Sequence, residues 1–185
     1  ISLAAYVGNV IITSDNNETG FALAKSIVKF VKFADGNFSG AMSKINALEL
    51  NNKYISKVFD KLNNGALVIE DANKLSNNAL IRITQEINQE ERGILMFLID
   101  TKAEIKKLLM RQRTLTNYFN IRIDIIAMSE AALVDYGMKY ANNLGYSIDE
   151  GFANMAFHKR VREAQSGNHS VTIAEVKAIV DEAIE

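Results

Sequence analysis

The chain is 185 residues long and 48% hydrophobic, enough for a packed core in one domain, or in a domain with a small appendage. Its 21 basic residues meet 22 acidic ones, so no global field draws in nucleic acid or an anionic membrane. The lack of cysteine excludes disulfides and thiolate metal ligands and fits a reducing cytoplasm. Apolar runs such as residues 94–99 fall well short of the ~20 residues a membrane span requires.

Val10–Thr13 is a short β-branched run of the kind buried on both faces of a parallel sheet covered by helices. After a polar bend, residues 20–34 set Leu23, Ala24, Ile27, Phe30, Val31 and Ala34 on one face at helical spacing, and Gly36 marks the stop. A weaker strand is expected over Met42–Asn46. Ile55, Val58, Phe59 and Leu62 mark a second helix ending near Gly65, and residues 66–69 form the next strand. Leu80, Ile83 and Ile87 mark a third helix; the strand at 94–99 leads to a fourth carrying Ile105, Leu108 and Leu109, and the strand at 121–126 closes the series. This alternation predicts an α/β fold with a parallel sheet.

Beyond Ile126 the strand signal ends. Ser129 caps a helix running to Leu144 with Gly145 beyond it, and a second helix fits residues 150–165, before Gly167. The third opens on Thr172-Ile173-Ala174-Glu175, a capping-box pattern. The expected organisation is an α/β core over residues 1–127 and a small all-helical unit over 128–185. The chain opens on Ile1 rather than methionine, without a charged-plus-apolar leader, so a piece excised from a longer protein is expected.

The polar bend raises the functional question. The stretch NVIITSDNNETGFALAKSI, from Asn9 to Ile27, has the outline of a phosphate-binding loop: strand, bend with a lone glycine, helix. Such a loop needs glycines so that backbone N–H groups close around oxygens, a lysine for the β and γ phosphates, and a hydroxyl for magnesium. Aligned backward from Gly20, the pattern meets Asp15 at the first glycine, Phe21 at the lysine and Ala22 at the hydroxyl. Asp15 and Glu18 also bring carboxylates to the helix N-terminus, whose dipole favours an anion by ~0.3–1 kcal/mol. Thr19, Gly20, Phe21 and Ala22 therefore form a degenerate loop. One reading is an ordinary capped turn of Asp15, Asn16, Glu18 and Thr19; the other is a site with a displaced lysine, Lys25, four residues beyond Phe21 on the same helical face. Lys25, Lys29 and Lys32 together form a stripe that also suits a solvated face.

The arrangement resembles an AAA+ ATPase module, a P-loop NTPase, over nearly the whole chain: a strand with a broken Walker A loop, further strands, then a helical lid. Gly65-Ala66-Leu67-Val68-Ile69-Glu70-Asp71 resembles Walker B. In that family the usual order is Asp, supporting magnesium, then Glu, polarising the attacking water. Here Glu70 precedes Asp71, a swap of one methylene of reach at each role. Thr101 stands where the family presents a polar sensor to the γ-phosphate, and equally where a cap for the following helix belongs. Tyr118-Phe119-Asn120-Ile121-Arg122-Ile123 resembles the arginine-bearing stretch of the last core strand. Arg122 matches its widely shared arginine, while Asn120 occupies the place where many members carry the finger given to a neighbouring subunit. Arg122 is otherwise expected to pair with an acid such as Asp124 or Glu130, and Arg111 and Arg113 lie nearby without motif support. The last helix, from Val171 to Val180, resembles the closing lid helix; Arg160 and Arg162, before it, are expected at the surface.

Phosphoryl transfer depends on positioned positive charge, and acids replace that charge here. The expectation is a degenerate AAA+ ATPase-like domain without ATP hydrolysis, needing no cofactor, which serves as a scaffold, assembly or regulatory module of a larger cytoplasmic protein. Its expected partners are other protein domains or AAA+-like subunits, including copies of itself. The alternative is a divergent ATPase that binds ATP and Mg and remodels a protein or nucleic-acid partner. Nucleic acid is not expected: a basic stripe is hinted at only by His158, Lys159, Arg160 and Arg162. His158 and His169 lack metal-ligand spacing, so no metal is expected. Phe21, Phe30, Phe33 and Phe38 flank lysines as base-stacking residues would, but at helical spacing they are expected in the core. Proline is absent and asparagine frequent in the loops, biases with no functional account at this level.

Overall fold

The computed structural model describes residues 8–88, 92–147, 151–165 and 171–184. Gly167 and His169 lie outside these residues, as does Glu150, where the second C-terminal helix was expected to begin. The chain forms two compact units that meet between Ile125 and Ile126.

In the first unit the elements in chain order are β1 (Val10–Thr13), α1 (Asn17–Ala34), β2 (Met42–Asn46), α2 (Ala47–Leu50), α3 (Ile55–Asp60) and β3 (Ala66–Glu70). There follow α4 (Asn77–Ile87), β4 (Leu95–Asp100), α5 (Lys102–Arg111) and β5 (Ile121–Asp124), with 3-10 turns at Ala72–Lys74 and Arg113–Asn117. The five strands are all parallel, in the order β2-β3-β4-β1-β5. The chain leaves β1, crosses to the far edge, returns to β4 beside it and only then forms β5. Its reversal point therefore lies at β1, where the C-terminal ends of strands in such sheets hold ligands.

Period-2 alternation feeds two apolar layers. Val10, Ile12, Val68, Phe97 and Ile99 pack toward α1, with Ala24, Val28 and Val31. Ile11, Leu67, Ile69, Met96 and Leu98 pack toward the other face, with Ile55, Phe59, Leu80, Ile83, Ile105 and Leu108. Asn9 pins the N-terminal edge from inside: the residue is 8% exposed, and its side chain donates to Tyr118 O at 3.1 Å and accepts from Met96 N at 2.9 Å.

Two sequence expectations fail here. α1 begins at Asn17, three residues before Gly20, with Asn16 as its cap accepting from Thr19 N at 2.8 Å. Its buried face is Gly20, Ala24, Val28 and Val31, so Phe30 and Phe33, expected in the core, are 71% and 92% exposed, while Phe38 is buried and Phe21 partly so. The reason is the close approach at Gly20: a Cβ there would stand 2.5 Å from Ile99 Cγ2. The helix therefore turns Gly20, Ala24, Val28 and Val31 to the sheet and Phe30 and Phe33 outward. Likewise β5 stops at Asp124; Ile125 N still bonds Thr13 O at 2.8 Å, but Ile126 is 85% exposed.

The second unit holds α6 (Glu130–Asn143), α7 (Phe152–Ala164) and α8 (Ile173–Ile184) around Leu133, Val134, Val161, Val171 and Val176. Ser129 caps α6, accepting from Ala132 N at 3.2 Å, and Gly145 follows the helix at φ 89°. Thr172 and Glu175 close a reciprocal capping box, with Thr172 N donating to Glu175 Oε2 at 2.7 Å and Glu175 N to Thr172 Oγ1 at 3.3 Å. No helix among the described residues is long and apolar enough to cross a membrane.

Candidate functional site

The C-terminal ends of β1, β3, β4 and β5 bring together most of the residues singled out in the sequence. Asp71, directly after β3, adopts φ 54° and ψ 45°, a left-handed conformation that Asp tolerates better than most side chains. Its carboxylate accepts three bonds: from Asn17 Nδ2 in the first turn of α1 at 2.9 Å, from Asn46 Nδ2 at the end of β2 at 2.8 Å, and from Lys74 Nζ at 2.9 Å. These donors, Asn17 first, then Lys74 and Asn46, hold the carboxyl down at about 2. Glu70 turns elsewhere, 3.4 Å from Lys44 Nζ. That ammonium lies 4.7 Å from the centroid of the Phe21 ring, and Lys25 approaches the same ring at 5.6 Å.

A second layer ties the neighbouring acids down. Asp100, 8% exposed at the end of β4, accepts from Asn73 N at 2.9 Å and Thr101 N at 2.8 Å. Burial pushes its carboxyl up; the two amides pull against that shift. The Asn73 side chain donates to Glu104 Oε2 at 2.6 Å. Thr101 is the N-cap of α5, accepting from Glu104 N at 3.2 Å. Arg111 clamps the turn after β3, donating to Asn77 Oδ1 at 2.7 Å, Asn73 O at 2.9 Å and Leu75 O at 3.0 Å.

Along residues 19–22, Gly20 is buried against β4, Thr19 belongs to the cap, Ala22 faces outward and Phe21 lies under two lysines. Glu18 is exposed in the first turn of α1. Arg122 lies apart from the Asp71 cluster. It projects from edge strand β5 and donates to Asp124 Oδ1 at 2.8 Å, an oxygen that also accepts from Thr13 Oγ1 at 2.8 Å. Asn120 abuts Gly8, where a Cβ would overlap its amide. In the second unit, Arg160 meets Glu182 at 2.6 Å, and Glu130 accepts from Arg162 and His158, Arg162 chiefly holding its carboxyl at about 2. Among the described residues, no group of three His, Asp or Glu side chains is placed to hold a metal ion.

Asn17, Asn46, Lys74 and Lys44 were not picked out by sequence reasoning. The one signal that bore on them was the asparagine frequency of the loops. It now has a physical account: Asn16 and Asn46 cap helices, Asn51 bridges Lys74 O and Ser76 N, and Asn17, Asn46 and Asn73 donate to carboxylates.

The fold can be matched to solved structures. RuvB from Thermotoga maritima, a Holliday junction branch migration motor, superposes with a TM-score of 0.56 at 13% identity, over 95% of this chain and 61% of that one. Two single-substitution RuvB variants superpose at 0.55 and 0.57, each at 14% identity over 98% of this chain and 66% of theirs. This is the AAA+ P-loop NTPase fold. The AAA+ likeness is one of fold: this chain spans about two thirds of those RuvB chains or less. No family model and no curated protein matches the sequence.

Proposed function

We propose that the chain is a degenerate AAA+ module that does not hydrolyse ATP and works as a nucleotide-independent scaffold, assembly or regulatory part of a larger cytoplasmic protein. The carrying observation is Asn17. In a phosphate loop the first helical turn presents backbone N–H groups and a lysine to an anion; here that turn sends a side-chain amide to Asp71 and closes onto the protein's own carboxylate. The cations at this edge are committed too, Lys74 to Asp71, Lys44 to Glu70 and Phe21, and Lys25 to Phe21. Asp71, Asp100 and Glu104 would repel a triphosphate. These residues fit a magnesium–triphosphate poorly. The partners on this reading are other protein domains or AAA+-like subunits, including further copies of the chain.

One observation favours the second reading, a divergent ATPase: Lys44 lies over Phe21, the residue at the place of the usual lysine, and could serve in its stead. Thermal melting with and without millimolar magnesium–ATP separates the two. Ligand a hundredfold above its dissociation constant would raise stability by about 2.7 kcal/mol. An unchanged melting temperature is expected; a clear upward shift that vanishes on Lys44→Ala or Lys25→Ala would establish the second reading.

A further inference from the structure

Helix α5 and the edge strand β5 enclose a groove of about 400 Å³ lined by Lys102, Lys106, Leu109, Met110, Arg113 and Arg122. Its chemistry is two-part. Leu109 and Met110 supply an aliphatic floor, with Met110 68% exposed. Around it stand four cations against one carboxylate, Asp124, which is bonded to Arg122 and 3.8 Å from Lys102. Lys106 and Arg113 are exposed, and no acid of the described residues pairs with them. The other cations of α5 are used: Lys107 on Glu104, Arg111 on the turn after β3. The charge left over is therefore concentrated in the groove.

We infer that this groove docks an extended acidic segment of a partner protein, with carboxylates on the Lys102–Lys106 and Arg113 ends and an apolar side chain on Leu109 and Met110. Charge complementarity selects the acids, and guanidinium binds carboxylate bidentately. The floor selects protein over nucleic acid: the lining has no aromatic ring to stack a base, and the adaptable methionine suits an aliphatic anchor. Length agrees as well. Lys102 and Met110 are eight helical residues apart, ~12 Å at 1.5 Å each, and Arg113 lies beyond them. An extended peptide crosses that span in about five residues, with alternate side chains facing the groove. The inference does not depend on whether nucleotide is bound or hydrolysed.

The test uses the whole chain and the fluorescein-labelled peptide Glu-Glu-Ser-Leu-Ser-Glu-Glu, followed by fluorescence anisotropy at low and high salt. Saturable binding that weakens with salt is expected, reduced about tenfold or more by Lys106→Glu or Arg113→Glu and about tenfold when the peptide's leucine is replaced by serine. Lys29→Glu, on the exposed face of α1, should leave it unchanged. Circular dichroism melting confirms that each variant folds; these side chains are exposed, and their replacement removes no core contact. The inference is overturned if the wild type shows no saturable binding or if charge reversal in the groove has no more effect than Lys29→Glu. It is equally overturned if the serine peptide binds as well, or if oligothymidylate binds the same residues more tightly than the peptide.

Discussion

The Asn17–Asp71 bond joins residues 54 positions apart and links the first turn of α1 to the end of β3, so its strength can be measured directly. The perturbations are Asn17→Ala and Asp71→Gly, singly and together; glycine adopts the φ of 54° at position 71 without strain, so the backbone there can stay in place. A hydrogen bond to a charged group contributes about 1.5–3 kcal/mol net. The Asp71 side chain is 25% exposed and keeps Asn46 and Lys74 as donors when Asn17 is truncated. Water and the remaining donors should reduce the coupling to about 1–2 kcal/mol. Hydrogen exchange of the buried β3 and β4 amides reads the stability of this unit alone. Asn17→Ala should cost about 1–2 kcal/mol in the wild-type background and little in Asp71→Gly, the difference being the coupling energy. Equal costs in the two backgrounds, within about 0.3 kcal/mol, would show that the bond contributes nothing, and the proposed closure of the site would lose its basis.

Two further outcomes follow from the same geometry. Gly20→Ala would stabilise an ordinary helix interior by up to ~1 kcal/mol. Here the new Cβ meets Ile99 Cγ2 on a buried, β-branched side chain, so overpacking of about 1–3 kcal/mol should outweigh the gain and lower the denaturant midpoint; a raised midpoint would mean that the helix–sheet contact is looser than described. Asp71, with its carboxyl held at about 2 against an unfolded value near 3.9, contributes stability that is full above about pH 4 and lost as pH falls toward 2. Asp100, raised by burial, has the opposite sign and favours the folded state on the acid side of its own titration. Urea midpoints at pH 5 and pH 3 should therefore fall further in the wild type than in Asp71→Gly. Parallel losses would assign the acid sensitivity to other carboxylates.

β1, β3 and β4 were legible because each is an apolar run between polar turns, whereas β2 and β5 mix polar and apolar residues, with only Ile45 buried in β2 and no residue of β5 buried, and so carry a weaker signal. The rotation of α1 was not legible. Periodicity ranked Phe30 above Gly20 as a core residue on hydrophobicity, while the deciding quantity was the distance between helix and strand, which only the folded chain reveals. Thr101 as a cap and Arg122 beside Asp124 follow from neighbours within three residues, so local reasoning reached both. Amide–carboxylate pairs carry no such signal. Asn46 reaches Asp71 across 25 residues, and Asn73 N reaches Asp100 across 27.

On the proposed reading, the departures from the phosphate-loop pattern are connected in space rather than scattered. Phe21, which the pattern aligned from Gly20 sets at the lysine position, is covered by Lys44 from β2, and Lys44 also balances Glu70. Asp71 keeps its place at the end of β3, but Asn17, Asn46 and Lys74 supply the donors that satisfy it. On the proposed reading, a triphosphate would have to displace those donors and then stand beside Asp71, Asp100 and Glu104, so each contact it made would break one the protein already has. Restoring a lysine at position 21 alone would add a cation and leave that competition intact. On that reading the fold needs no nucleotide, and the α5–β5 groove is built from different residues.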